Sequence, residues 1–155
     1  MDFDHVRGAK EMAVAKMVHE TCSKRRISSE IAKCELVCVL CHKTRTHKRR
    51  ATSGHGNHAS TASHRRQRIF QLVNEAKSVP CTACGVSRPY WQMEFDHLPD
   101  NQKRACVSTL VVLAYSEKTV MAEIAKCRVL CALCHRRSTF RERGYKSASA
   151  SIEPF

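Results

Sequence analysis

Apolar residues recur at helical spacing in several short stretches, and most of these stretches come in matched pairs. Val14, Met17 and Val18 open one stretch, and Ile27, Ile31 and Cys34 fall on one face of the next. Val107, Leu110 and Val111 later repeat the first, and Val120, Ile124 and Cys127 repeat the second. The pattern predicts two copies of one small helical core. An unpaired amphipathic helix is predicted over 65–77, where Ile69, Leu72, Val73 and Ala76 share a face, and Pro80 closes it. Residues 51–64 show no apolar period and are rich in Gly, Ser and Ala, which predicts a flexible linker. Their His55, His58 and His64 read as solvated side chains rather than ligands. Residues 146–155 have the composition of a disordered tail. The expected organisation is a first unit over 1–50, the linker, a second unit over 65–145, and the tail.

The pairing extends beyond apolar positions. Met1-Asp2-Phe3-Asp4-His5 returns as Met93-Glu94-Phe95-Asp96-His97, and Glu30-Ile31-Ala32-Lys33-Cys34 returns unchanged as Glu123-Ile124-Ala125-Lys126-Cys127. Each copy closes with Cys-x-x-Cys-His, at Cys38, Cys41 and His42 and at Cys131, Cys134 and His135. In this alignment Lys10 matches Lys103 and Ser23 matches Ser116. Only the second copy has another Cys-x-x-Cys upstream, at Cys81 and Cys84. Repetition of ligand-type residues at matched spacing marks a site rather than a packing accident.

Units this short bury little core and usually need a metal, disulfides or a partner. The chain has 155 residues and ten cysteines. Its opening residues have neither a basic n-region nor an apolar run, and no stretch reaches the length of a membrane helix. The expectation is therefore a chain retained inside the cell, not secreted and not in a membrane, with its cysteines on zinc. Charge adds a partner. Lys and Arg number 27 against 14 Asp and Glu, a formal net charge of +13. A tetrathiolate zinc site leaves about +11, and such an excess favours a polyanion, most simply nucleic acid.

Cys81, Cys84, Cys131 and Cys134 have the spacing of two zinc knuckles, and two knuckles complete a tetrahedron. A closed shell of four thiolates is expected to hold a structural ion. Asp96 and His97 are different chemistry, a hard anionic ligand beside a base of near-neutral pKa. His135 follows the last zinc cysteine and projects to another side, where it can serve a second, open metal site. Taken together, Cys81-x-x-Cys84-Gly85, Phe95-Asp96-His97, Lys103, Glu123-Ile124-x-Lys126-Cys127 and Leu130-Cys131-x-x-Cys134-His135 resemble the zinc-knuckle branch of the HNH endonucleases, common in phage and mobile elements. The resemblance covers the second unit and, from Asp4 to His42, most of the first. It implies an α+β chain of two tandem ββα-metal units, in each of which two strands and a helix hold one divalent cation. By it, His97 is the general base, Asp96 and His135 hold a catalytic cation such as Mg, Mn, Ni or Zn, and DNA is the substrate. The matching first-unit residues are His5 as base and Asp4 and His42 as ligands. Lys103, Arg136, Arg137, Arg141 and Arg143 are candidates for holding the strand by its phosphates.

Two positions depart from the family pattern. The middle Asn has no counterpart where Lys126 and Lys33 stand, and Leu133 and Leu40 occupy a position between the closing cysteines that is often Asn. The alternative to a nuclease is therefore a zinc-stabilised nucleic-acid-binding module that has lost catalysis. In the first unit Cys38 and Cys41 form an incomplete zinc site. An upstream segment, Cys22 with Cys34, or another chain would complete it, or the copy is degenerate and kept for binding. Truncation or decay is the expected reading, ahead of a cross-unit site with Cys81 and Cys84.

Overall fold

The computed structural model describes residues 1–53, 63–99, 101–142 and 144. The chain divides into two compact units, Met1–Arg49 and Arg50–Phe155. Each contains one two-stranded antiparallel sheet among helices, so the architecture is mixed α+β. The histidines at 55 and 58, most of the linker, Arg143 and the tail lie outside the described residues. His64 is exposed on a helix.

In the first unit β1 (Asp2–His5) pairs with β2 (Cys34–Val37), with Asp4 opposite Glu35 and His5 opposite Cys34. Between the strands lie α1 (Val14–His19) and α2 (Lys24–Ile31), and after them comes α3 (Val39–Thr52). Val14 and Met17 are buried as their spacing predicts, whereas Val18 is 60% exposed and takes no part in the core. The Ser23 hydroxyl caps α2 by accepting from the Arg26 N–H, which satisfies one of the donors left open at a helix start.

The second unit repeats this order. There β3 (Met93–His97) pairs with β4 (Cys127–Cys131), with Asp96 opposite Arg128 and His97 opposite Cys127. Between them are α5 (Val107–Val112) and α6 (Glu117–Ile124), α6 being capped by Ser116 in the position of Ser23. Helix α7 (Ala132–Glu142) follows β4. The extra element is α4 (Ser63–Ala76), close to its expected span, followed by the Cys81–Gly85 turn and a short 3-10 turn at Tyr90–Gln92. Numbered in order, α4 precedes β3. Its Ile69 and Val73 pack with Val107, Leu110, Val111 and Val120 in one cluster, and Cys81, Met93, Leu130 and Cys131 form another.

Helices α1 and α5 end alike. Thr21 (φ 53°) and Ala114 (φ 55°) take the left-handed conformation, and the next residues, Cys22 and Tyr115, donate back to Met17 and Leu110 carbonyls at 3.0 Å. This is the Schellman closure, usually built on glycine. One expectation fails in both copies. Cys34 and Cys127 do not continue the helices but open β2 and β4. Their thiols still reach back four residues to the Glu30 and Glu123 carbonyls, at 3.3 and 3.4 Å, so the helical spacing is kept while the backbone has already turned.

Candidate functional site

The four sulfurs of Cys81, Cys84, Cys131 and Cys134 lie within 4.8 Å of one another. A regular tetrahedron with metal–sulfur bonds of about 2.3 Å has sulfurs about 3.8 Å apart, so a slight contraction seats an ion. Local structure prepares the site. The Cys131 N–H donates to Cys81 Sγ at 3.2 Å, and Thr82 ties the knuckle to the Val129 carbonyl through both its N–H (3.0 Å) and its hydroxyl (2.8 Å). Gly85 turns the chain at φ 70°. Burial alone raises the Cys81 thiol, but the N–H groups of Cys131, Ala83 and Cys84 outweigh it and hold the thiol down at about 6. Burial and the three neighbouring thiols push Cys134 up to about 12. Four thiols this close ionise together only around a cation, and the donor set suits zinc. The cluster can hold a metal ion.

Asp96 and His97 leave opposite faces of β3, as neighbours on a strand must. On one side, Asp96 Oδ1 lies 3.5 Å from His135 Nε2 of α7, while its Oδ2 accepts from Arg128 Nε at 2.8 Å and lies 2.7 Å from the Arg128 NH2 as an ion pair. His135 Nδ1 is held by Glu94 Oε2 at 2.5 Å. On the other side, His97 Nε2 meets Glu123 Oε1 of α6 at 3.0 Å. Glu123 is only 2% exposed and also accepts from the Arg104 N–H (2.9 Å) and from Lys126 Nζ (2.8 Å). Hydrogen bonding to Lys126, then to the Arg104 amide and His97, lowers its carboxyl to about 2 against the opposing effect of burial. An ionised Glu123 requires the proton on His97 Nε2, which leaves Nδ1 as an acceptor.

The first unit reproduces this network. His5 Nε2 meets buried Glu30 Oε1 at 2.6 Å, the Glu11 N–H donates to the same oxygen at 3.0 Å, and Lys33 Nζ donates to Oε2 at 2.7 Å. Lys33 and Lys126 each also tie down a loop carbonyl, of Ala9 and Gln102. His42 Nδ1 lies 3.1 Å from Asp2 Oδ2, and its Nε2 lies 3.7 Å from Asp4 Oδ1.

The copies part company at the aspartate. Asp4, 1% exposed, is gripped on both oxygens by Arg49 (2.8 and 2.6 Å) and on Oδ2 by Arg45 (3.1 Å). These arginines, Arg49 foremost, lower its carboxyl to about 2. Arg45 also pairs with Glu35 at 2.7 Å. In the second copy the arginine has moved to the strand, as Arg128 at the position of Glu35, and Ser138 and Glu142 replace Arg45 and Arg49. Arg128 bonds Ser138, which bonds Glu142.

Of the expected phosphate contacts, Arg136, Arg137 and Arg141 share one face of α7, where with Leu133 and Phe140 they line a shallow depression. Lys103 is exposed in the loop before α5. Cys38 and Cys41 are exposed and gain no third ligand among the described residues. Among the described residues, the four-cysteine cluster is the only group of three or more candidate ligands. Neither Cys22, beside Arg26, nor Cys34 on β2 completes the pair. No described helix is long and apolar enough to cross a membrane. No known protein family, curated protein or solved structure matches the chain at a significant level.

Glu30, Glu123 and Asp4 give a pH prediction. All three carboxyls lie near 2, below ordinary values of 4.5, 4.5 and 3.8. A carboxyl depressed by folding contributes stability above its unfolded pKa and loses it as pH falls through the folded one. The urea midpoint is expected to hold from pH 7 to about pH 5 and then fall steeply towards pH 2. A midpoint flat down to pH 2.5 contradicts these networks.

Proposed function

We propose that the second unit is a metal-dependent endonuclease centre that hydrolyses DNA phosphodiester bonds. The observation that carries the reading is the buried Glu123, whose carboxylate is held by Lys126 and the Arg104 amide and in turn fixes the His97 Nε2. A fold of this size gains little from burying a carboxylate beside a histidine, whereas a general base needs that arrangement. His97 Nδ1 takes a proton from the attacking water, and Glu123 steadies the imidazolium that results. Asp96 Oδ1 and His135 Nε2, 3.5 Å apart, need only a slight approach to share one cation, because cis ligands about 2.1 Å from an ion lie about 3.0–3.4 Å apart. Such a cation would supply Lewis-acid stabilisation of charge on the phosphate and the leaving oxygen. Glu94 fixes the His135 ring, and the arginine face of α7 holds the backbone. In this reading the four-cysteine cluster carries a structural zinc. The first unit is an auxiliary half, because Arg45 and Arg49 already fill the place of a cation at Asp4.

One observation favours a second reading. Arg128 pairs with Asp96 through one hydrogen bond from Nε and an ion-pair contact from NH2, as suits a zinc-stabilised module that binds nucleic acid without cutting it. Supercoiled plasmid with Mg²⁺, Mn²⁺, Ni²⁺ or Zn²⁺ distinguishes the two. Native protein is expected to nick it, and His97→Ala to lower the rate by about 10²–10⁴ with DNA binding retained. DNA binding by folded native protein with no metal-dependent nicking leaves only the second reading.

A further inference from the structure

The β1–β2 hairpin bares a face that its counterpart buries. Met1 is 71% exposed where Met93 is 1%, and Cys38 is exposed where Cys131 is 1%. Phe3 and Leu36, paired across the strands, are also exposed, whereas Phe95 and Val129 pack against the clusters of the second unit. The difference has a visible source. In the second unit this face is covered from α4 and the Cys81–Gly85 knuckle, and the first unit has no equivalent among its described residues.

The two bare thiols are arranged as a knuckle. The Cys41 N–H donates to Cys38 Sγ at 3.3 Å. The Leu40 amide adds to this, so that amides two and three residues on converge on the first sulfur. The Cys81 sulfur is served by the same pair of positions, Ala83 and Cys84. Zinc held by thiolates takes four ligands, and this knuckle supplies two.

We propose that Cys38 and Cys41 are half of a second zinc site, completed by the same pair from a second copy of this chain. One ion then clamps two hairpin faces together. A copy of the chain meets the donor count: two knuckles related by a two-fold axis make a closed tetrathiolate shell and an isologous contact. The same axis sets Met1, Phe3 and Leu36 against their own counterparts, an apolar centre on an otherwise basic chain. The tetrathiolate ion carries a net charge of −2, which offsets part of the repulsion between two basic chains. The cationic residues of α3 follow later along the helix, from Lys43 onward. This site is independent of the nuclease reading.

The test uses the full chain, reduced with a phosphine and supplied with zinc, with mass by light scattering and metal by chromogenic chelation. Native protein is expected to be a dimer holding about 1.5 zinc per chain, one ion in each four-cysteine cluster and one shared. Cys38→Ser and Cys41→Ser, both at exposed positions, are expected to be folded monomers with about 0.5 zinc per chain less. That difference reads the shared site alone, whatever the other cluster holds. Leu36→Lys keeps both thiols and is expected to weaken the dimer about tenfold or more. A native monomer, or a dimer and zinc content unchanged by Cys38→Ser, overturns the proposal.

Discussion

Replacing Cys131 with serine is expected to empty the four-cysteine cluster of metal and abolish the cooperative melt of the second unit. Cys131 is 1% exposed and belongs to the smaller apolar cluster with Cys81, Met93 and Leu130. An ion held there would therefore sit inside the packing that joins the knuckle to β3 and β4. Structural zinc in small domains contributes on the order of 10 kcal/mol at neutral pH. Losing only about 4 kcal/mol of that lowers the melting temperature of a domain this small by roughly 20 °C. Cys127→Ser is the matched control, since its thiol donates to the Glu123 carbonyl and lies outside the cluster. It is expected to keep its zinc and lose about 1 kcal/mol. Zinc content and a circular dichroism melt check both variants. A Cys131→Ser protein that keeps its metal and melts like native removes the structural-ion reading.

The cluster was legible because its information is local. Knuckle spacing places two sulfurs on one ion whatever the rest of the chain does, so Cys81, Cys84, Cys131 and Cys134 could be grouped before any fold was known. The duplication was legible too, down to Ser23 and Ser116, which cap equivalent helices. Charged partners were not. Glu30 and Glu123 stood in plain view inside a pentapeptide repeated without change, but a search for apolar period gives an acid on a helix no meaning. Their importance comes from burial against His5 and His97, 25 and 26 residues away in sequence. The arginines were harder still. Arg128 reaches Asp96 from the neighbouring strand, while Arg45 and Arg49 reach Asp4 from a helix, so residue-by-residue alignment hides the shared task. A carboxylate needs a guanidinium nearby, and tertiary structure decides which element supplies it.

Glu123→Ala is expected to damage both folding and chemistry, and comparison with Glu123→Gln separates the two. Alanine orphans the Arg104 and Ala105 amides, leaves Lys126 with only the Gln102 carbonyl, and frees His97 to turn. Breaking a buried charged network of this kind costs about 3 kcal/mol. Glutamine keeps an acceptor for the amides and for His97 Nε2, so it is expected to cost only about 1 kcal/mol. It removes the negative charge that fixes the tautomer and steadies the imidazolium. The folded Gln variant is therefore expected to nick plasmid about 10–100 times more slowly, with unchanged DNA affinity. The first unit supplies the decisive control. Glu30→Gln disturbs the same network around His5, so a purely structural role predicts equal effects from the two substitutions. Because Arg45 and Arg49 occupy Asp4, Glu30→Gln is expected to lower stability by a similar amount and leave the nicking rate unchanged. Equal rate losses from the two Gln variants, or none from Glu123→Gln, count against a positioning role for Glu123. Loss from Glu123→Gln alone assigns the chemistry to the second unit.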